Sequence, residues 1–312
     1  MSGIKKIFVR HSTFVILLAL VLLFSLVSSR FLRVSNLLNI LDQSALLAVV
    51  AIGVTVTIIA GGIDLSVGSV VALVGAVSAG VIVRSGVPVP VGLLVGMAVG
   101  GAIGAFNGVM VVYGRLQPSV ATLAMMAIGR GLTLLYTQGR PISGMGEGYT
   151  VLGGSIGPIP ISVLILGAVL TVITIVFRNT PFGAYVYAVG GSEETTRLAG
   201  VNVRRVKVGA YALSGLLAAV GGVLLTARLW SAQPQATVGL ELQAIAATVL
   251  GGASLMGGVG TAAGTVGGAL IMGVLANGLN LAGVQSYLQQ VITGAIFIMA
   301  VLLDMWTKRT TE

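Results

Sequence analysis

Two groups of residues in this sequence carry charge or hydrogen-bonding capacity amid long apolar stretches. The first is the run Ser192-Glu193-Glu194-Thr195-Thr196-Arg197-Leu198-Ala199-Gly200. Its carboxylates suit a helix N-terminus, where they meet the positive end of the backbone dipole. Gly200 suits the left-handed turn just past a helix end. Val203, Arg204, Arg205 and Lys207 then lead into the next apolar segment. A short charged helix of this kind offers a partner protein something to grip.

The second group lies within or beside apolar segments: Asp64, Ser66, Asn107, Arg130, Glu241, Asn277 and Asn280. An ionisable group at membrane depth is expensive and by default marks a solute or ion path. Asp64 sits between glycines in Gly61-Gly62-Ile63-Asp64-Leu65-Ser66-Val67-Gly68. Either the helix is broken there for function, or Asp64 caps a turn at the inner surface. Ser66 is placed to cap the helix that follows. Arg130 falls nearly mid-segment and needs a partner, a carbonyl cage or a watery cavity. Glu241 and Arg228 either pair across the connection Leu229–Leu240 or stand as two interfacial charges in water. Asn107, Gln117, Asn277 and Asn280 either meet solute or bind helix to helix.

Other chemistries have little material. There is no cysteine, and the lone His11 lies beside the first apolar segment, so thiol chemistry is excluded and histidine-based metal or proton-relay chemistry is poorly supplied. No phosphate-binding Gly-x-x-x-x-Gly-Lys-[Ser/Thr] loop, metal-ligand cluster or nucleophile elbow occurs. The formal charge of +9 sits at segment ends rather than in one patch, which argues against nucleic acid.

These residues must be held by membrane helices. Hydrophobic residues make up 56% of the chain and charged residues 8%, far below an ordinary soluble domain. Glycine, at 46 of 312 residues, lets helices approach closely where lipid supplies no hydrophobic drive. The expectation is an all-α polytopic membrane protein, one transmembrane domain over residues 1–312, with about ten transmembrane helices and Gly-rich broken or re-entrant pieces. Candidate spans are 13–29, 44–60, 66–83, 91–112, 120–136, 159–177, 208–227, 243–256, 262–282 and 288–304. The span 243–256 is short and ends in Gly251-Gly252-Ala253-Ser254-Leu255-Met256-Gly257-Gly258, so it either crosses or re-enters. The apolar run Phe14–Val27 reads as an uncleaved first helix, because no small-x-small site follows it.

Loop charges orient the chain. With the N-terminus inside, Lys5, Lys6, Arg10, Arg115, Arg178, Arg197, Arg204, Arg205, Lys207, Lys308 and Arg309 fall on the inner side. Arg30, Arg33, Arg84, Arg140 and Arg228 fall outside, which obeys the positive-inside rule. Both termini and the loop 178–207 are then cytoplasmic, and 138–158 is the largest outer loop. A faint repetition, Gly61-Gly62-x-x-Leu65 and Gly251-Gly252-x-x-Leu255, hints at paired interrupted helices along a transport path.

Together these residues resemble the permease subunits of bacterial ABC importers, specifically the ribose-type (monosaccharide) family. Glu194-Thr195-Thr196-Arg197-Leu198-Ala199-Gly200 is similar to the importer loop pattern Glu-Ala-Ala-x-x-x-Gly, with Thr for each Ala. Gly62-Ile63-Asp64-Leu65-Ser66-Val67-Gly68-Ser69 looks like the family signature. Tyr187-Ala188-Val189-Gly190-Gly191, Ser231-Ala232-Gln233-Pro234, Gly239 and Glu241 are also similar, and the likeness runs from about residue 35 to 304. One departure is Val203-Arg204-Arg205-Val206-Lys207-Val208, where the general loop ends Ile-x-Leu-Pro.

The resemblance implies a protein of the bacterial inner membrane that is not itself an enzyme and binds no cofactor. It implies a second permease chain, identical or paralogous, with a pathway between the two. A periplasmic solute-binding protein would deliver a monosaccharide, and two cytoplasmic ATP-binding-cassette ATPase domains, carrying ATP and Mg, would dock on the 192–201 helices. Ser192, Glu193, Glu194, Thr195, Arg197, Leu198 and Gly200 would then couple the ATPase to transport. The main alternative is an ion-coupled secondary transporter of a small neutral solute, for which only Asp64 and Arg130 supply ionisable groups inside the bundle. A membrane-embedded enzyme is disfavoured by the missing histidine, cysteine and carboxylate pairs.

Overall fold

The computed structural model describes residues 12–309; side chains beyond Leu302 are not described. Lys5, Lys6, Arg10 and His11 therefore lie outside the described residues, as do the side chains of Lys308 and Arg309. Thirteen α-helices form among the described residues. They are α1 (Ser12–Val27), α2 (Val34–Ile59), α3 (Val67–Ser85), α4 (Val89–Val112), α5 (Pro118–Thr137), the single turn α6 (Glu147–Thr150) and α7 (Ile161–Asn179). They continue as α8 (Pro181–Gly191), α9 (Glu193–Leu198), α10 (Val203–Arg228), α11 (Leu240–Leu250), α12 (Ala262–Leu281) and α13 (Ser286–Arg309). Two-residue strands β1 (Ile142–Ser143), β2 (Ser155–Ile156), β3 (Ile159–Pro160) and β4 (Ser231–Ala232) occur only in the connections.

Seven helices, α2, α3, α4, α5, α7, α10 and α12, are long and apolar enough to cross a membrane. Shorter apolar helices occupy the other three expected segments: α1, α11 and the Ser286–Leu302 part of α13. The protein is thus an all-α, multi-pass membrane protein. The second expected span starts ten residues earlier than hydropathy suggests, because Asn36, Asn39 and Asp42 are helical and find polar partners on other helices.

α2 is the centre of the molecule. Every residue from Ser44 to Ile59 is buried, on all sides of the helix. A helix apolar all round belongs inside a bundle. α10 packs on α2 and, along a stripe of Gly100, Gly104 and Gly108, on α4. A Cβ at Gly104 would fall 2.2 Å from the Tyr211 carbonyl oxygen, so only glycine admits this approach of α10. Small residues at four-residue spacing make such backbone-to-backbone seams between membrane helices.

The segment 243–256 does not form one spanning helix. α11 has 11 residues, about 16 Å of rise, roughly half of the hydrocarbon thickness. An irregular glycine loop, 251–261, completes it. Such backbone survives at membrane depth only when packed in protein. Here Gly251 lies against Gly264 of α12. At the opposite end of the molecule, β1 pairs with β4 (Ile142 with Ala232, Ser143 with Ser231), which ties the 138–160 connection to the one after α10. Tyr149 anchors that connection, its hydroxyl 2.8 Å from that of Ser78 on α3. Burial pushes this phenol above the ordinary tyrosine range, and it stays protonated.

Candidate functional site

The short charged helix forms where the sequence places it. Ser192 ends α8 and caps α9, its hydroxyl oxygen accepting from Thr195 N at 3.3 Å. Glu193 and Glu194 occupy the first turn of α9, Arg197 the last, and Gly200 takes φ +85°. Thr196 turns inward and donates to Ser192 O at 2.7 Å. Glu193, Glu194, Thr195, Arg197 and Leu198 stay exposed, Leu198 at 80%. Leu198 is thus a large apolar side chain left uncovered beside Arg197 at the end of a capped helix. Glu193 also forms an ion pair with Lys207, which fastens α9 to α10.

Behind α9 three glycine-bearing segments meet. Gly190, at the end of α8, packs on the Ile59 carbonyl at the end of α2 and on Gly258 of the 251–261 loop. Gly258 N donates to Ile59 O at 2.9 Å, and Gly257 packs against Gly61. The faint repetition thus has a spatial counterpart: both glycine turns end a helix at this level. The contact to Gly61 is made by Gly257, not by Gly251-Gly252.

Beyond that junction, five of the seven membrane-depth polar residues converge on the first turn of α3. Asp64 is 1% exposed, so the turn is not an open surface cap. Its Oδ1 accepts from Ser66 N (3.0 Å) and Ser66 Oγ (2.6 Å), and its Oδ2 accepts from Ser214 Oγ of α10 (2.8 Å). Asn107 of α4 donates to Ser66 Oγ at 2.8 Å. Ser66 is the N-cap residue of α3, yet its side chain accepts no bond from the helix. Its hydroxyl is spent on Asp64, and its helical φ/ψ points it away from the cap position. The expected Ser66 cap is thereby corrected.

Two and three residues on, Gly68 lies against the Glu241 carboxylate and Ser69 against Gly129. Arg130 bonds Glu241 Oε1 at 3.0 Å. Glu241 Oε2 and the hydroxyl of Thr237 are buried without a hydrogen-bond partner in the structure. Of the two readings of Arg228 and Glu241, the mutual pair does not form, and neither charge is left to water alone. Arg228, at the end of α10, pairs with Asp42 of α2 at 3.0 Å, and Ser162 donates to the same carboxylate. The β1–β4 ladder holds the intervening connection, so Glu241 faces α3 and α5 while Arg228 faces α2.

Asn277 and Asn280 stand apart. Asn277 exchanges two 2.9 Å amide bonds with Asn36, joining α12 to α2 as interhelical glue. Asn280 is exposed on α12 and joins no cluster. Ser214, Thr237 and a hydroxyl trio linking α2, α11 and α12 were not foreseen. In that trio Thr55 lies 2.6 Å from Thr265 and 3.2 Å from Thr248. Lone hydroxyls in apolar helices carry no charge signal; the one clue was Ser214 in register with Tyr211 and Gly215 on one helical face.

A multi-pass helical bundle with a capped, charged helix on one face and a pinned polar knot between helices has the build of a transport permease. The chain belongs to the permease family described as branched-chain amino acid transport system, permease component, whose model matches residues 36–301. It is 45% identical to the ribose import permease protein RbsC of Escherichia coli K12 over 96% of this chain and 95% of that one. Against the RbsC of Bacillus subtilis 168 the identity is also 45%, over 92% and 90% of the two chains. The D-allose transport system permease protein AlsC of Escherichia coli K12 is 35% identical over 95% and 91%. No solved structure matches the chain.

Proposed function

We propose that this chain is the membrane-spanning subunit of a binding-protein-dependent ABC importer that carries a neutral monosaccharide, ribose or a related pentose or hexose, across the bacterial inner membrane. ATP hydrolysis in a partner subunit drives it, and a second permease chain completes the pathway. The chain crosses ten times, α11 with its glycine loop counting as one crossing, and both termini face the cytoplasm. ATP and Mg belong to the partner ATPase.

The observation that carries this reading is α9. It is short, capped, exposed and fastened to the bundle at two points, the Gly190 junction and the Glu193–Lys207 pair. A load placed on α9 reaches Ile59 and Gly61 through α8, and reaches Tyr211 and Ser214 through α10. Both routes end at the Asp64 knot, so an ATPase that favours one position of α9 favours one arrangement of α2, α3, α4 and α10. A ligand shifts such an equilibrium only by its differential affinity for the two states. A knot of hydroxyls, an amide, a hydroxyl-bonded Asp64 carboxyl group and one internal ion pair suits a neutral, hydroxyl-rich solute.

Glu194 is exposed and makes no contact the fold needs. Glu194→Lys is expected to leave expression and unfolding temperature unchanged. It should cut ATPase-driven uptake about ten-fold, the worth of one charge-assisted contact. The measurement is uptake of labelled ribose by liposomes holding this chain, the ATP-binding-cassette subunit and the solute-binding protein. Normal uptake by the variant would remove α9 from the coupling role. Solute carried by the chain alone, without ATP, would make it a secondary carrier.

A further inference from the structure

At the end of the molecule that bears α9, a cleft of about 270 Å³ opens between the end of α4 and the start of α10. It is lined by Arg115, Arg197, Arg204, Lys207 and Glu193 against the aliphatic wall of Val111. Lys207 is occupied by Glu193. Arg115, Arg197 and Arg204 have no carboxylate within ion-pair distance among the described residues. The cleft thus gathers three arginines that no carboxylate pairs, and α10 begins at it, adding the positive end of a 26-residue helix dipole.

The rim is of a different character. Arg204 lies over the Tyr113 ring, 5.7 Å from its centroid. Tyr113 is 58% exposed and Leu116 is 43% exposed. The spanning helix α4 stops at Val112, which sets this ring and leucine at the level where hydrocarbon gives way to headgroups. Tyrosine is enriched there because its ring is apolar and its hydroxyl wet. A surface that is cationic inside and aromatic and aliphatic at its edge matches one kind of ligand, an anionic headgroup that stays attached to acyl chains.

We propose that this cleft binds the phosphate of an anionic phospholipid, with the headgroup among Arg115, Arg197 and Arg204 and the chains against Tyr113 and Leu116. The lipid then sits beside the Glu193–Lys207 pair and touches α9 through Arg197, so membrane composition bears on how firmly α9 is held. The inference rests on the importer reading only in assigning the lipid to the inner leaflet.

The test is native mass spectrometry of the full chain in neutral detergent, titrated with phosphatidylglycerol or phosphatidylcholine of identical acyl chains. The wild-type chain is expected to retain phosphatidylglycerol preferentially. R115Q/R204Q is expected to bind it roughly thirty-fold more weakly, the loss of two near-surface cations. R115K/R204K should keep most of the preference, and R30Q/R33Q, which removes two charges elsewhere, should keep all of it. If R115Q/R204Q does not purify as a single species, R115Q alone should show about a five-fold loss.

Undiminished phosphatidylglycerol binding by the glutamine variants would overturn the proposal. Displacement of the lipid by inorganic phosphate alone would also overturn it, making the cleft a free-oxyanion site. So would a variant that keeps its lipid but no longer co-purifies with the ATPase, which would give the cleft to that interface. A chain that prefers phosphatidylglycerol yet carries solute without ATP would defeat the importer reading and leave this one standing.

Discussion

Replacing Gly190 with alanine is expected to destabilise the protein by about 3 kcal/mol or more, although it adds a single methyl group. A Cβ there would fall 1.7 Å from the Ile59 carbonyl oxygen and 2.5 Å from Gly258 N. Both neighbours are backbone atoms, and they are hydrogen-bonded to each other. No side-chain rotation relieves the clash, so α8 must move off α2 or the bond between Gly258 and Ile59 must break. Gly191→Ala is the control, because nothing lies within 4 Å of the added carbon. Thermal unfolding in detergent should show a large drop for the first variant and almost none for the second. ATPase-driven transport by Gly190→Ala should fall even at temperatures where it remains folded, since the junction joins α8 to both glycine turns. Equal stability of the two variants would mean that the three segments do not meet as described.

Arg130→Met is expected to cost about 2 kcal/mol, because it orphans the buried Glu241 carboxylate, the cost being less than for a fully buried pair since Arg130 is itself only partly buried. Glu241 would then keep neither oxygen paired, since Oε2 already lacks a partner. The double variant R130M/E241M should recover most of the loss, because removing both charges also removes the burial cost. The unfolding midpoint checks both. If single and double variants were equally unstable, the volume of the arginine would matter and its charge would not. If Arg130→Met unfolded like wild type, another donor must reach Glu241.

How far the sequence carried is best seen in particular residues. α9 was legible almost to the residue because its determinants are local: a serine cap, two first-turn carboxylates and a terminal glycine. The long helices were legible for the same reason, each being a continuous apolar run. Asp64, Ser66, Asn107, Arg130 and Glu241 stood out because polar groups are costly in an apolar setting. Their partners did not. Arg228 and Glu241 are close in sequence, yet the β1–β4 pairing turns them toward different helices. Asp42 and Asn36 fell outside the expected span because hydropathy reads them as loop, although Arg228 and Asn277 neutralise their cost within the bundle. Partner choice is a property of packing, and it left no local trace.

The brevity of α11 has a consequence for how the protein is made. Eleven residues that include Glu241 and Gln243 are too few and too polar to partition into lipid by themselves. The glycine loop that follows would leave its amides bare in hydrocarbon. The stretch is therefore expected to enter the bilayer together with α12 rather than alone. Gly251 and Ala247 can then lie against Gly264 and Gly268, and the two helices enter the bilayer as one hairpin. The α11–α12 hairpin then gains its polar satisfaction from the rest of the bundle, where Thr55 of α2 meets Thr248 and Thr265.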